Sequence, residues 1–327
     1  MEMNNRRHSL RLLGALALSH PLGKVMAQST GGSVSRLLVG FPPGATGDRI
    51  ARIVAPVLGG FSQMNLIVEN KPGAGGQVAI ESAKHSAADG SVLLQTIGSS
   101  MVIYPHTYRS LRYDPFSDFV PIGTVATAPI AFVASPNTPA VTLAEALALL
   151  KRDSKYGFYG SPASGSLFHF TGVLLQRSLR AQFDHVPYKG SAPLVSDVLG
   201  GQVPFAFLAP SDILDLHRSG RLKILAVTGT ERASQLPDVP TFAERGFGDL
   251  NYQERFSYFL VKGTPPDVVA KYRLALRKTV AASEVRAKLI DAGLEMGEGE
   301  PEPLTATMQR DYAKWKQIVK EIGFVAD

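Results

Sequence analysis

A strand-to-helix connection close to the amino terminus reads Val39-Gly40-Phe41-Pro42-Pro43-Gly44-Ala45-Thr46-Gly47-Asp48. A short apolar run precedes it, the two prolines and Gly44 stop that run, and residues 48–54 restart the apolar pattern at helical spacing. A helix that begins here presents free backbone amides and the positive end of its dipole, which favour a carboxylate or a phosphate. On its own, the stretch is equally consistent with an ordinary connection in an α/β domain.

The remaining chain alternates between strand-like and helix-like segments, which predicts an α/β fold with open, parallel-rich sheets and helices on both faces. Strands are predicted at residues 37–41, 65–69, 92–96, 130–134, 156–159, 203–207, 222–227 and 258–261. Helices are predicted at residues 48–58, 76–86, 143–150 with Thr142 as the cap, 167–179, 266–282, 284–292 and 303–322.

The connection between a strand and a small-residue loop occurs a second time. Residues 160–166 read Gly160-Ser161-Pro162-Ala163-Ser164-Gly165-Ser166 and lead from a strand into the helix predicted at 167–179. Ligands of open α/β sheets lie beyond the carboxyl ends of the strands. Two such loops, from two sheets, are therefore expected to face each other across a cleft.

Charge and composition exclude several classes of protein. The chain has 327 residues, 45% of them hydrophobic, which is enough for one large or two medium α/β domains. Its formal net charge of +6 includes four basic and one acidic residue in positions 1–27, so 30 basic and 27 acidic residues remain beyond them. With no Lys/Arg block, nothing indicates nucleic-acid binding. The absence of cysteine excludes disulfides and thiolate sites.

Residues 1–27 have the three parts of a secretory signal: a basic start around Arg6 and Arg7, a short apolar run, and small residues before Gln28. The apolar run is shorter than the roughly 20 residues that span a bilayer. The segment predicts export to the periplasm and a mature chain that begins near Gln28. The arginine pair leaves both the general secretory and the twin-arginine route open.

Ten short motifs stand in order along the chain. They are Phe41-Pro42-Pro43-Gly44 with Asp48, Val68-Glu69-Asn70-Lys71-Pro72-Gly73-Ala74-Gly75-Gly76, Asp89-Gly90, Tyr113-Asp114-Pro115 with Asp118-Phe119, Gly160-Ser161-Pro162 through His169, Val186-Pro187-Tyr188-Lys189-Gly190, Leu199-Gly200-Gly201-Gln202-Val203, Gly220-Arg221-Leu222, Leu236-Pro237-Asp238-Val239-Pro240-Thr241 and Gly263-Thr264-Pro265. In this order the chain resembles the Bug family, the extracytoplasmic solute receptors of tripartite tricarboxylate transporters, over essentially its full mature length.

The resemblance implies a two-domain periplasmic-binding-protein fold of type II with a ligand cleft between the domains. Residues 32–133 and 250–327 would form domain 1, residues 134–249 would form domain 2, and hinges would lie near Val133 and Asp249. Such a receptor, expected to be a monomer, captures a small carboxylate or a related polar or aromatic acid and delivers it to a membrane permease. No cofactor, metal or catalytic activity is implied.

In that family, backbone amides of the two loops grip a ligand carboxylate. The candidate ligand-binding residues are Phe41, Pro43, Gly44, Ala45, Thr46, Asp48, Ser99, Ser100, Ser161, Ala163, Ser164, Gly165, Ser166, His169, Asp212 and Phe256. Asp48 is expected to cap free amides and hold the loop rigid, with direct ligand contact as the alternative. Asp212 faces the cleft or caps its own helix. Ala45 and Ala163 stand where the family usually has glycine, and Arg255 is either exposed or a ligand contact.

Other functions remain as alternatives at this stage. A ligand sensor that docks on a sensor kinase needs the same cleft. A hydrolase would use Ser164 and His169, although the loop lacks the Gly-x-Ser-x-Gly pattern and no carboxylate orients the histidine. The glycines at 73–76 imitate a dinucleotide fingerprint but lack its third glycine. The scattered histidines, His85, His106, His185 and His217, lack the spacing of metal ligands and are interpreted as surface or packing residues.

Overall fold

The structure is a computed structural model and describes residues 34–326. The signal segment predicted at residues 1–27 lies outside the described residues. The strands of the described part are β1 (Val34–Val39), β2 (Asn65–Asn70), β3 (Val92–Ile97), β4 (Phe119–Ala128), β5 (Ala131–Ala134), β6 (Phe158–Ser161), β7 (Asp184–Pro187), β8 (Phe205–Leu208), β9 (Lys223–Val227), β10 (Glu254–Val261) and β11 (Glu295–Met296).

Helices separate most of these strands. They are α1 (Thr46–Ser62), α2 (Gln77–Lys84), α3 (Gly98–Val102), α4 (Tyr104–Thr107), α5 (Leu143–Arg152), α6 (Leu167–Leu179), α7 (Ser191–Leu199), α8 (Pro210–Arg218), α9 (Pro266–Ala281), α10 (Ser283–Asp291) and α11 (Pro301–Ile322). None of the helices within residues 34–326 is both long enough and apolar enough to cross a membrane.

Two mixed sheets organise the chain. The first sheet has the order β11-β4-β10-β3-β1-β2 and the second has the order β7-β6-β8-β5-β9. We call each sheet with its helices a lobe. The predicted parallel pairing holds for β1 with β2 and β3, and for β6 with β7 and β8. The pairings of β4, β5 and β10 are antiparallel, and these strands adjoin the points where the chain passes between the lobes.

The chain passes from the first sheet to the second between β4 and β5, and returns between β9 and β10. The two passages are hydrogen-bonded to each other: Ile130 N–H donates to Thr228 Oγ1 at 2.8 Å, and Thr228 N–H donates to the Ile130 carbonyl at 2.9 Å. Strand β5, with Val133, already belongs to the second sheet. The domain limits expected from the sequence remain a prediction, while the strands put the first passage at residues 129–130.

Local sequence explains the elements that carry the site. Strand β3 is buried along its whole length, as expected of an apolar run at the centre of a sheet covered on both faces. Helix α5 begins with the capping box of Thr142 and Glu145, in agreement with the predicted cap. Helix α6 has the predicted bounds, and most of its first turns are buried, in contact with strands β6, β7 and β8. Both predicted loops therefore lie between a buried strand and a well-packed helix.

Candidate functional site

The first loop, residues 40–45, is held by a buried carboxylate. Asp48 Oδ2 accepts the N–H of Gly44 at 2.8 Å and the Nε–H of Arg52 at 2.9 Å, and Oδ1 accepts the side-chain amide of Asn70 at 2.9 Å. Burial disfavours the charge, but these three hydrogen bonds outweigh it and lower the pKa of Asp48. Asp48 thus has the loop-holding role that the sequence suggested.

The backbone conformation of the first loop suits the residues at positions 44 and 45. Gly44 has φ of +83°, a left-handed value that glycine adopts at little cost. Ala45 is extended, with φ of −70° and ψ of 162°, so its Cβ is accommodated without strain. Ala45, where the resemblance implies a glycine, therefore leaves the backbone of the loop unstrained.

The second loop, residues 162–166, is held by a neutral histidine. Gly165, with φ of +72°, donates its N–H to His169 Nδ1 at 3.2 Å, and Ser166 Oγ donates to the Ala163 carbonyl at 2.7 Å. His169 stacks on His185 with ring centroids 3.9 Å apart. Burial, together with the neighbouring His185, lowers the pKa of His169 to about 3, so the ring stays neutral and can accept.

The hydrogen bonds of the second loop also bear on the hydrolase alternative, which would use Ser164 and His169. The backbone carbonyl of Ser164 accepts the hydroxyl of Tyr108 at 3.2 Å, and His169 uses Nδ1 on the Gly165 amide. The serine that does contact a histidine is Ser161, whose Oγ lies 2.8 Å from His185 Nε2. His169 Nδ1 is therefore engaged by the loop backbone, which speaks against the hydrolase alternative. His185, taken as a packing residue, has a specific polar partner that the sequence did not indicate.

The two lobes meet where helix α1 begins. Thr46 donates its N–H to Asp212 Oδ1 at 3.1 Å and its hydroxyl to the same oxygen at 2.9 Å, and it also contacts the Ser211 hydroxyl at 2.6 Å. Arg49 extends this contact by donating to the Ser211 carbonyl at 2.7 Å and to the Gly44 carbonyl at 2.9 Å. Asp212 thus faces the cleft, and its carboxylate occupies the first amide of α1.

Burial raises the pKa of Asp212, against the opposing effects of hydroxyl and amide donors from Ser191 and Thr46 and of the positive charge of Arg49. The second lobe therefore brings an incompletely compensated anion to the start of a helix in the first lobe. This arrangement makes Asp212 the main electrostatic feature of the cleft.

A cavity lies between the lobes beside this contact, and we call it the cleft cavity. In the closed arrangement it leaves about 30 Å³ for the centres of water molecules, room for about two waters. Its lining consists of Phe41, Ala45, Thr46, Gly47, Ile97, Pro162, Ala163, Phe168, Ser191, Asp212 and Phe256. Both predicted loops and the predicted Phe256 and Asp212 contribute to it.

Sequence reasoning missed several lining residues. Ile97 ends the buried strand β3, Phe168 is the second residue of α6, and Ser191 begins α7. Phe168 carried a usable signal, since it directly follows the second loop in the sequence. Ser191 follows Gly190, whose φ of +106° turns the chain into α7, and only the tertiary structure brings it to the cleft.

Other predicted residues lie away from the cavity lining. Pro43 and Gly44 are exposed at the rim of the first loop. Ser100 is buried, and its carbonyl accepts the hydroxyl of Tyr113 at 2.6 Å. Ser161, Ser164, Gly165, Ser166 and His169 form the frame of the second loop without lining the cavity.

Ser99 links the lobes at a second place. Its hydroxyl contacts Glu254 Oε2 and accepts the N–H of Leu167, at the start of α6, at 2.9 Å. Burial raises the pKa of Glu254 to about 7 despite the hydrogen bonds it accepts from Ser99 and the Arg255 amide. Arg255 is a partly buried partner of Asp311 at 3.2 Å and does not line the cleft cavity.

Within residues 34–326, no group of three or more His, Cys, Asp or Glu side chains is arranged to hold a metal ion. The polar groups that reach the cleft cavity are backbone amides, hydroxyls and one carboxylate. Such groups bind a small polar solute by hydrogen bonds and charge.

Two sheet-based lobes that close on a small cavity at the ends of their strands define a solute-binding protein. The family model described as the tripartite tricarboxylate transporter family receptor matches residues 50–324. The chain therefore belongs to this family, as the resemblance predicted, and it is a substrate-binding receptor and not an enzyme.

Individual proteins agree with this assignment. BugT of Bordetella pertussis is 28% identical over 289 residues, which cover 88% of this chain and 89% of BugT. The structure of the periplasmic binding protein BugD has a TM-score of 0.84 at 27% identity and covers 90% of this chain and 98% of its own. MatC of Rhodopseudomonas palustris with bound malate has a TM-score of 0.81 at 25% identity, over 88% and 99% of the two chains.

Proposed function

We propose that this receptor works in the periplasm, where it captures a small carboxylate in the cleft cavity and delivers it to a membrane permease of the tripartite tricarboxylate type. The export signal predicted at residues 1–27 and the similarity to a periplasmic binding protein support the location. The family's description supports the permease as partner.

One observation carries the proposal: the first amide of α1 already holds a carboxylate. The Thr46 N–H binds Asp212 Oδ1 at 3.1 Å beside the cleft cavity, which supports this helix start as a place where a carboxylate can bind. The relative MatC, which has malate bound, supports the same ligand chemistry. Because the closed cavity holds only about two waters, the lobes must part for a ligand to enter.

Thermal unfolding with panels of small acids, against ATP, NAD and zinc, tests the proposal. A ligand at a hundred times its Kd adds about 2.7 kcal/mol to the stability of the folded state. We expect stabilisation by at least one carboxylate and by none of the other three. Stabilisation by nucleotides or zinc alone would overturn the proposal.

A variant that fills the cleft cavity tests whether such a ligand binds there. Ala45→Trp places a large side chain on the cavity lining and should abolish the stabilisation. Ala87→Trp makes the same change at an exposed position away from the cleft and should keep it. Equal ligand response of both variants would place the binding site elsewhere.

A further inference from the structure

Asp212 is the one charged side chain on the lining of the cleft cavity in the described part of the chain. The other lining residues are apolar or carry only a hydroxyl, with rings of Phe41, Phe168 and Phe256 among them. Arg49 lies near, but its guanidinium donates to the carbonyls of Gly44 and Ser211 and makes no ion pair with Asp212 among residues 34–326. The cavity is thus an apolar space with a single anion at its edge.

This anion creates a conflict for a simple carboxylate ligand. A ligand carboxylate that takes the Thr46 N–H must displace Asp212 Oδ1, which now lies 3.1 Å from that nitrogen. Two carboxylates would then be neighbours in largely apolar surroundings, where like charges repel strongly. A ligand removes the conflict if it brings its own positive charge to the position between the Thr46 amide and Asp212.

We infer that the solute is an α-amino acid with an apolar side chain, an assignment that rests on the proposed receptor function and narrows its ligand class. The carboxylate binds the Thr46 amide, the ammonium binds Asp212, and the side chain lies among the three phenylalanines. An α-amino acid carries both charged groups on one carbon, so one small molecule can offer a carboxylate to the Thr46 amide and an ammonium to the neighbouring Asp212. Its net charge of zero also suits a cavity without a lysine or arginine on its lining.

The same features select against dicarboxylates. A second carboxylate, as in malate, finds no cation among the lining residues and would desolvate against aromatic and aliphatic groups. Deaminated analogues of an amino acid keep the carboxylate and the apolar body but bring no cation to Asp212 in exchange for the Thr46 N–H that they take. Both classes should therefore bind more weakly than the amino acid.

Calorimetric titration of the full mature protein with matched pairs tests this inference. L-leucine is compared with 4-methylpentanoate, and L-phenylalanine with 3-phenylpropanoate, because each pair differs only in the ammonium group; malate is a third arm. We expect the ammonium to improve affinity about 10- to 100-fold in at least one pair. This comparison uses the unmodified protein and needs no variant to fold.

Two variants on helix α8 assign the effect to Asp212. Asp212→Asn should remove the advantage of the amino acid over its deaminated analogue, while Asp215→Asn, a matched change at an exposed position of the same helix, should keep it. A deaminated acid or malate that binds the unmodified protein as tightly as the amino acids would overturn the inference and leave the receptor function standing. Binding of none of these compounds nor any other carboxylate would overturn both.

Discussion

The two loops of the cleft are held by the same type of hydrogen bond, but the acceptor is charged in one loop and neutral in the other. In each loop a left-handed glycine donates its N–H to a side chain four residues further on, at the third position of the following helix: Gly44 to Asp48, and Gly165 to His169. The acceptor is a charged carboxylate in the first loop and a neutral imidazole in the second. Equivalent loop shapes therefore depend on different protonation states.

The loops also differ in what reaches them from the opposite lobe. A carboxylate, Asp212, contacts the first loop's helix start, whereas the hydroxyls of Ser99 and Tyr108 contact the second loop. A carboxylate therefore satisfies the helix start after the first loop, and neutral hydroxyls satisfy the second loop and the helix start after it.

The largest effect is expected for the acceptor of the first loop. Asp48→Asn replaces a carboxylate that accepts three donors with an amide that presents a donor of its own to them. We expect a loss of about 2–4 kcal/mol in the free energy of unfolding, measured by urea denaturation at neutral pH. Asp267→Asn, an exposed acid in the first turn of α9, is the matched control and should lose at most about 1 kcal/mol. Equal losses would mean that Asp48 contributes only to the helix dipole.

An effect of intermediate size is expected in the pH dependence of stability, which should differ between the two loops. The pKa of His169 in the folded protein is about 3, below its ordinary value of 6.5, so the unfolded chain binds more protons between these values. Stability is thus lost as the pH falls from 6.5, by about 2 kcal/mol at pH 5 for this residue. His169→Gln should flatten the pH dependence of unfolding by that amount.

The first loop should not share this window. The pKa of Asp48 lies below its ordinary value of 3.8, so its contribution is lost only as the pH falls below that value. His85→Gln, at an exposed position, serves as the control and should follow the unmodified protein. If His169→Gln keeps the full slope between pH 6.5 and 5, the imidazole is not the group that holds the second loop.

The smallest effect concerns the two glycines. Alanine at either position is forced into the left-handed region, which costs about 1–2 kcal/mol. At Gly44 the new Cβ meets no atom within 4 Å, whereas at Gly165 it comes within 3.1 Å of Thr107 Oγ1. Gly165→Ala should therefore lose more stability than Gly44→Ala in the same denaturation experiment. The reverse order would show that the first loop is the more tightly fitted of the two.

The sequence was sufficient for the parts of the fold whose signals are local. Helix α6 has its predicted bounds because its apolar residues continue at helical spacing from the second loop, and Thr142 with Glu145 marks the start of α5. Strand β4 was not predicted, since Pro121 and Gly123 interrupt its apolar pattern and it is completed by pairing with β10. Strand β10 begins with the charged Glu254 and Arg255, so its first four residues did not look like part of a strand and the prediction started only at residue 258.

Most predicted residues that line the cleft cavity lie in or directly after the two loops, and Asp212 and Phe256 are the exceptions. Thr46, Ala163 and Asp212 were identified because they stand at the ends of strands or the starts of helices. The hydrogen bond between Thr46 and Asp212 joins residues 166 positions apart, and no local pattern encodes such a pairing. The partnership of Ser161 with His185 is hidden for the same reason, since neighbouring parallel strands bring the two together.

The reciprocal hydrogen bonds of Ile130 and Thr228, at the two passages between the sheets, allow hydrogen exchange to separate lobe opening from global unfolding. Both residues are fully buried, and their bonds can persist while the lobes part. The amides of Thr46 and Leu167 bind groups on the opposite lobe, so each opening exposes them to solvent. Their hydrogens should exchange with deuterium at the low free-energy cost of lobe opening, and those of Ile130 and Thr228 only at the cost of global unfolding. The difference between the two exchange free energies is then the part of the global stability that lobe opening leaves intact.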